Sequence, residues 1–267
     1  MRRTLALLLL ALPLPATADP PPAVAELTYD GYASRFRVLT MESELLLAPG
    51  GYRIVLSGRT AGMVGLLYHA NWRSSAEGKW DGADVAPVHF DNTGTFGGQP
   101  RHIAMDFVRG DPELRAEEPP DDGEHLPLAP GLAAHAIDSL SVTTLVIHQF
   151  ATLGHCEGEV TAFDGRQAER LTLRSVGSEY LPPTGRSSWY GPTLRCDLRS
   201  HVVGGFFRDE KPEERDYTDT IWMGTVLPNL PPMPVRFTAT THHLGRITLY
   251  LVGAKLRDAS TLTATRP

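Results

Sequence analysis

The side chains best suited to chemistry in this chain are its histidines, two cysteines and a knot of acids. His242 and His243 are adjacent, and neighbours on a strand point to opposite faces, so the pair cannot close on one metal ion. His243 continues the face of Val235, Phe237 and Ala239, while His242 joins Arg236 and Thr238; both read as strand-end residues. His148 and His155 fall seven positions apart, roughly on one face near a helix end, where a surface or capping role against the negative terminus is expected. Glu117, Glu118, Asp121 and Asp122 imitate the paired carboxylates of a glycosidase. They flank Pro119-Pro120, which reads as a solvated loop where nothing raises a carboxyl pKa. No G-x-S-x-G elbow, H-E-x-x-H pair or phosphate loop occurs. The expectation is a protein that is not an enzyme and uses neither cofactor nor metal.

Cys156 and Cys196 are the only cysteines, and the compartment decides how they read. Met1-Arg2-Arg3 followed by an apolar run to Leu14 and by Ala16-Thr17-Ala18 has the form of a secretory leader cut after Ala18. The run is too short for a permanent membrane span, and no cysteine near Ala18 offers a lipidation site. A periplasmic location is expected. In an oxidising compartment an even pair reads as a disulfide, ahead of buried free thiols or metal ligands, since neither cysteine has C-x-x-C or C-x-x-H spacing. Closing a loop of about 40 residues stabilises a fold by about 3–4 kcal/mol.

Two further motifs suit binding. Phe163-Asp164-Gly165-Arg166 makes a turn whose Phe163 packs and whose Arg166 either pairs with a carboxylate or meets an anion or partner. Trp189-Tyr190-Gly191-Pro192 fits core packing at a strand entry, with an aromatic clamp as the alternative.

The elements that position these residues are mostly strands. Tyr52, Ile54 and Leu56 alternate with Arg53, Val55 and Ser57. Ile103, Met105 and Phe107 alternate with His102, Ala104 and Asp106. Leu171 and Leu173 alternate with Arg170, Thr172 and Arg174. From Thr193 to Val203, Leu194, Cys196, Leu198 and Val202 face one way and Arg195, Asp197, Arg199 and His201 the other. Such alternation belongs to antiparallel sheet with one wet face. Pro49-Gly50-Gly51, Asp164-Gly165 and Leu244-Gly245 supply turns. From Asp138 to Leu153 the pattern changes: Val142, Val146, Phe150 and Leu153 recur at helical spacing with Leu140 and Ile147 beside them. Asp138 or Ser139 caps the start and Gly154 ends it. With Cys156 next, a disulfide pins this helix to the Thr193–Val203 strand as a plug or lid. Residues 111–130 and 204–216, rich in charge and proline, read as loops.

In order, Asp138-Ser139-Leu140-Ser141, Cys156, Phe163-Asp164-Gly165-Arg166, Tyr190-Gly191-Pro192, Leu194-Arg195-Cys196 and Gly204-Gly205-Phe206 resemble the domain-of-unknown-function family 3108 of exported proteobacterial proteins. The resemblance spans roughly residues 31–256 and is most specific over 138–206. Gln167-Ala168-Glu169 departs from it, standing where a second basic residue and an aromatic are expected. It implies a β-rich periplasmic fold and the same cysteine pairing, with no established activity. A looser likeness, of fold alone, is to curved-sheet carriers of the lipoprotein-localisation type.

The resulting reading is a mainly β protein: residues 1–18 a signal peptide, 19–267 one β-rich domain, with halves 27–110 and 131–257 on either side of the acidic stretch. The sheet is a curved antiparallel one, or an open β-barrel or β-spiral, with one amphipathic helix. Its concave apolar face is expected to bind an acyl chain, lipoprotein or apolar peptide segment, lined by Val142, Val146, Phe150, Leu194, Leu198 and Phe237, with Arg166, Trp189 and Tyr190 as further contacts. The alternatives are an interaction module without a small ligand and a hydrolase of envelope polymers. An outer-membrane barrel is disfavoured by the capped helix, the proline breaks and the ending at Arg266-Pro267. Removing a leader that carries two arginines and no acid takes the formal charge from −6 to −8. That balance, with no basic run, argues against nucleic acid or an anionic membrane surface as a partner, and no segment is expected to span a membrane.

Overall fold

Period-two alternation needs a sheet with one dry face, and this chain builds a single large one. The computed structural model describes residues 23–120, 123–241 and 244–258. The strands are β1 (Ala23–Ala33), β2 (Phe36–Ala48), β3 (Gly51–Thr60), β4 (Ala70–Asp81), β5 (Asp84–Phe96), β6 (Gln99–Val108), β7 (Asp111–Glu118), β8 (Glu157–Phe163), β9 (Ala168–Leu181), β10 (Gly191–Gly204), β11 (Asp216–Gly224), β12 (Met233–Thr241) and β13 (Gly245–Asp258). A short helix α1 (Gly62–Leu67) joins β3 to β4, and a long one, α2 (Ser139–Thr152), precedes β8. The leader, the tail beyond Asp258, Asp121-Asp122 and His242-His243 lie outside the described residues.

Each strand from β1 to β7 pairs antiparallel with the next, as does each from β8 to β13. The two meanders join through β1 and β13: these lie side by side with Ala23 opposite Asp258 and Tyr32 opposite Thr248. The sheet therefore runs from β7 at one edge, through β1 and β13, to β8 at the other. It curls into a nearly closed barrel. The segment ahead of α2 closes the gap between its edges. Ile137 N–H donates to Thr161 O and Phe163 N–H to Ile137 O, both at 2.9 Å, so Ile137 adds to the free edge of β8. Two residues earlier, His135 N–H donates to Asp111 Oδ1 at 2.8 Å, at the start of β7.

The acidic stretch after Arg109 corrects an expectation. Residues 111–118 form β7 rather than a loop, paired along β6 from Val108–Asp111 to His102–Glu118. Its charges and Pro112 suit an edge strand: one side of the ladder needs no N–H donor, and charge discourages pairing with another chain. The second expected loop, 204–216, holds one 3-10 turn over Pro212–Glu214 before β11 begins.

Helix α2 runs inside the barrel. Leu140, Val142, Leu145, Val146, Ile147 and Phe150 are all buried, and so are the polar Ser141, Thr144 and Gln149. A helix wetted on one face would not bury polar residues between its apolar ones; this one is covered nearly all round. Thr144 answers its own hydroxyl by donating to Leu140 O at 3.0 Å. One glycine makes room for the wall's contact with it: a Cβ on Gly78 would lie 2.5 Å from the Tyr52 hydroxyl, which reaches α2.

Candidate functional site

The interior around α2 holds a carboxylate that burial perturbs strongly. Asp138 is completely buried and caps the helix: one carboxylate oxygen accepts from Leu140 N–H at 3.0 Å and Ser141 N–H at 2.9 Å, the other from the Ser141 hydroxyl at 2.5 Å. Desolvation outweighs these bonds and pushes the carboxyl up to about 6. The Ser141 and Tyr52 hydroxyls lie 2.6 Å apart, and burial raises the Tyr52 phenol well above its usual range. Tyr52 packs against Trp80, which stacks on His148 at 4.1 Å between ring centroids. His148 in turn lies 2.9 Å from Gly82 O. A polar and aromatic chain thus runs from the cap of α2 through the barrel wall and back to the helix at His148.

The other end of α2 is tied as firmly. Gln149 bonds both backbone groups of Glu157 at 3.0 Å, and Cys156 is disulfide-bonded to Cys196 with the Cα atoms 6.1 Å apart. Cys156 also exchanges backbone and hydroxyl hydrogen bonds with Ser175 on β9. His155 faces Glu157 at 3.3 Å, so the two histidines diverge: His148 packs on a ring and His155 sits at the surface.

Beside α2 lies an apolar cavity of about 90 Å³. Leu27, Tyr29, Met41, Leu45, Ile54, Ile221 and Phe237 of the wall face Leu140, Thr143 and Ile147 of the helix across it. Of the expected lining only Phe237 borders this space. Val142, Val146 and Phe150 occupy a different face of α2 and are buried in the packed core, with Leu198 in the same core and Leu194 partly buried against it. The helical spacing shows which residues share a stripe, but two stripes of α2 are apolar, and the one at 140, 143 and 147 meets the cavity.

Arg166 lies on neither cavity nor open surface. Its side chain is 10 % exposed, 3.2 Å from Glu117 and 4.0 Å from Glu124, and it donates to Pro119 O at 2.6 Å. Asp164 shapes the turn by accepting from the Arg166 and Gln167 amides. Behind it, Gly205 at φ 69° passes so close to Arg166 O that a Cβ would lie 2.0 Å away. Phe163 is buried. The motif therefore locks the β8–β9 turn onto the exit of β7, sealing the barrel. Trp189 packs over Gly224 and Val235, whereas Tyr190 is exposed, so they form no clamp.

One acid pair carries no sequence signal. Tyr217 donates to Glu169 at 2.5 Å, and burial raises both groups. These residues lie on different strands 48 positions apart, and only the fold brings them together.

The contacts around α2 and the Arg166 seal lie within residues 32–252, the span matched by the profile of the family described as "Protein of unknown function (DUF3108)". The chain belongs to the DUF3108 family. No curated protein sequence matches it. Among solved structures it is similar to the crystal structure of a β-barrel-like protein of DUF1849 from Brucella abortus, with TM-score 0.49, 12% identity, and coverage of 89% of this chain and 98% of that one. In this DUF3108 chain, no helix among the described residues is long and apolar enough to cross a membrane. Likewise, no group of three or more His, Cys, Asp or Glu among them is placed to hold a metal ion.

Proposed function

We propose that this DUF3108 protein is exported to the periplasm, cut after Ala18, and serves there as a non-catalytic envelope protein. Its barrel is a filled scaffold that presents surfaces to partners rather than a carrier with an open interior. The observation that carries this reading is the cavity's size. Pockets for small ligands enclose roughly 300–1,000 Å³, and the space beside α2 is about 90 Å³. The buried Asp138 supports the same reading, because its carboxylate already serves Leu140, Ser141 and the helix dipole. Arg166 is likewise committed to Glu117 and Pro119.

Mass spectrometry of the protein purified from its native compartment tests both halves of the proposal. Under denaturing conditions the mass should correspond to a chain beginning at Asp19; a retained Met1 rejects export by a cleaved leader. Under native conditions no lipid or peptide should accompany it. A stoichiometric acyl ligand would reject the filled scaffold and return the binding role to the cavity lined by Phe237, Leu140 and Ile147.

A further inference from the structure

At the end of the barrel where β3 passes into β4, large apolar side chains stand in solvent. Leu66 and Leu67 of α1 are 88% and 87% exposed, Met63 68%, and Phe36 in the neighbouring β1–β2 turn 56%. The two turns touch: Ala61 N–H donates to Val38 O at 2.8 Å, and Gly62 packs on Arg37 O. The base of α1 is held firmly. Thr60 Oγ1 donates to Tyr68 O at 2.9 Å and accepts from Ala70 N–H, and Gly97 N–H reaches His69 O. An apolar tip on a fixed base costs solubility unless something covers it.

The segments that flank α1 in the sheet carry positive charge. Residues 33–37, 59–71, 96–101 and 182–190 contain Arg35, Arg37, Arg59, His69, Arg101 and Arg186 and not one Asp or Glu. Arg186 belongs to the group because it donates to Ser34 O in the β1–β2 turn at 3.1 Å. Arg37 pairs with Asp30 and Arg101 with Glu124; among the described residues Arg35, Arg59 and Arg186 have no carboxylate partner. A groove of about 380 Å³ floored by Trp72 adds Arg73, Ser57 and Asn71 to Arg59, with Glu42 as its one acid. Acids lie in the turns at the opposite end, including Asp81, Asp84 and Asp111, and at this end further round the barrel, where the β8–β9 and β10–β11 turns hold Asp164, Asp209, Glu210, Glu213 and Glu214. At physiological salt, charges further off than about 8 Å are largely screened, so the negative total does not cancel the local field.

We infer that this end docks on an anionic phospholipid surface. Met63, Leu66, Leu67 and Phe36 enter the acyl boundary, and Arg35, Arg59 and Arg186 meet the lipid phosphates. Each of these segments is ordinary in sequence, and their positive charge becomes a local patch only when the fold sets the β1–β2 and β3–β4 turns side by side and Arg186 reaches Ser34. This goes beyond the scaffold reading and depends on nothing in the interior.

Vesicle sedimentation tests it, using the chain from residue 19 onward, which contains every described residue. Vesicles of equal parts phosphatidylglycerol and phosphatidylcholine should carry down the protein, and vesicles of phosphatidylcholine alone should carry down far less. Leu66→Glu with Leu67→Glu should weaken binding by at least about tenfold. Arg35→Ala with Arg59→Ala should weaken it by about fivefold per arginine and remove the preference for anionic lipid. All four sites are at the surface, so thermal unfolding should be unchanged. Equal binding to both vesicle types, or undiminished binding by the leucine variant, overturns the inference. If sedimentation equilibrium shows a dimer that the leucine variant turns into monomer, the tip belongs to a second copy of the chain and the inference falls. A lipid that co-purifies with wild type but not with Leu66→Glu/Leu67→Glu belongs to the tip, and one that stays with the variant belongs to the interior, so the two proposals fail separately.

Discussion

The hydroxyl of Tyr52 on β3 and that of Ser141 in the first turn of α2 meet at 2.6 Å inside the barrel, joining wall to plug by a side-chain bond. Tyr52→Phe keeps the ring against Trp80 and removes only this bond. A loss of about 1 kcal/mol is expected in urea unfolding. Tyr52→Ala, which also empties the space by Trp80, should cost about 3–5 kcal/mol. Equal losses in the two variants would show that the hydroxyl, not the ring, dominates.

Asp138 should leave a signature in pH. Burial raises its carboxyl to about 6, above the unfolded value of about 3.9. Between these values the folded chain holds a proton that the unfolded chain has released. Stability from this group is therefore greatest below about pH 4, falls as pH rises to about 6, and is flat beyond. Glu169 and Asp219, also raised by burial, bend the curve the same way. The measurement is the difference between wild type and Asp138→Asn: unfolding curves at several pH values should show a flatter profile in the variant. Asp138→Ala, which removes the cap as well, should cost about 2 kcal/mol or more at every pH.

Reducing the Cys156–Cys196 bond should destabilise the fold by about 3–4 kcal/mol for a closed loop of this length. Peptide mapping without reductant should recover the two cysteines in one linked fragment. The paired variant Cys156→Ala with Cys196→Ala should match the reduced protein in its urea midpoint.

Arg166→Ala opens the seal between the β8–β9 turn and the end of β7. Removing a guanidinium whose side chain is 10 % exposed leaves Glu117 and Pro119 O without their partner, at a cost of roughly 1–3 kcal/mol. Amide exchange should speed up in residues 111–118 and 163–168 more than at β1 and β13. A uniform increase along the sheet would show that Arg166 serves global stability instead.

Phe150→Ala should cost about 3–5 kcal/mol, as core truncation does, while Thr143→Val beside the cavity keeps the side-chain volume, removes a hydroxyl that reaches Ser139 O at 3.5 Å, and should cost about 1 kcal/mol or less. Thermal unfolding of the two variants separates the packed stripe of α2 from the stripe that borders free space.

These contrasts also mark what the sequence makes legible. Helix α2 could be read from Asp138, Gly154 and the apolar spacing between them, because caps and periodicity are local. The cysteine pairing could be read from the even count together with the expected leader. The immersion of α2 could not be read, since Ser141, Thr144 and Gln149 look like a wet face until Asp138, Leu140 O and Glu157 answer them. Strand β7 was hidden because an edge strand tolerates the charges and proline that also mark loops. Helix α1, with its apolar residues turned outward, has neither caps nor a buried stripe to announce it. The basic patch beside α1 was invisible for a different reason: Arg35, Arg59 and Arg186 come from separate segments that only the fold sets side by side.

The pairing of β1 with β13 has a consequence for how the protein is made. Ala23 lies opposite Asp258 and Tyr32 opposite Thr248, so β1, made early in synthesis, faces a partner made about 215 residues later. Until residue 258 has appeared, β1 can pair only with β2 and offers an open edge to any passing strand. The barrel cannot be completed co-synthetically, N-terminal part first; it must wait for the whole chain. Contacts this distant in sequence make folding slow, and the waiting edge makes it vulnerable to aggregation.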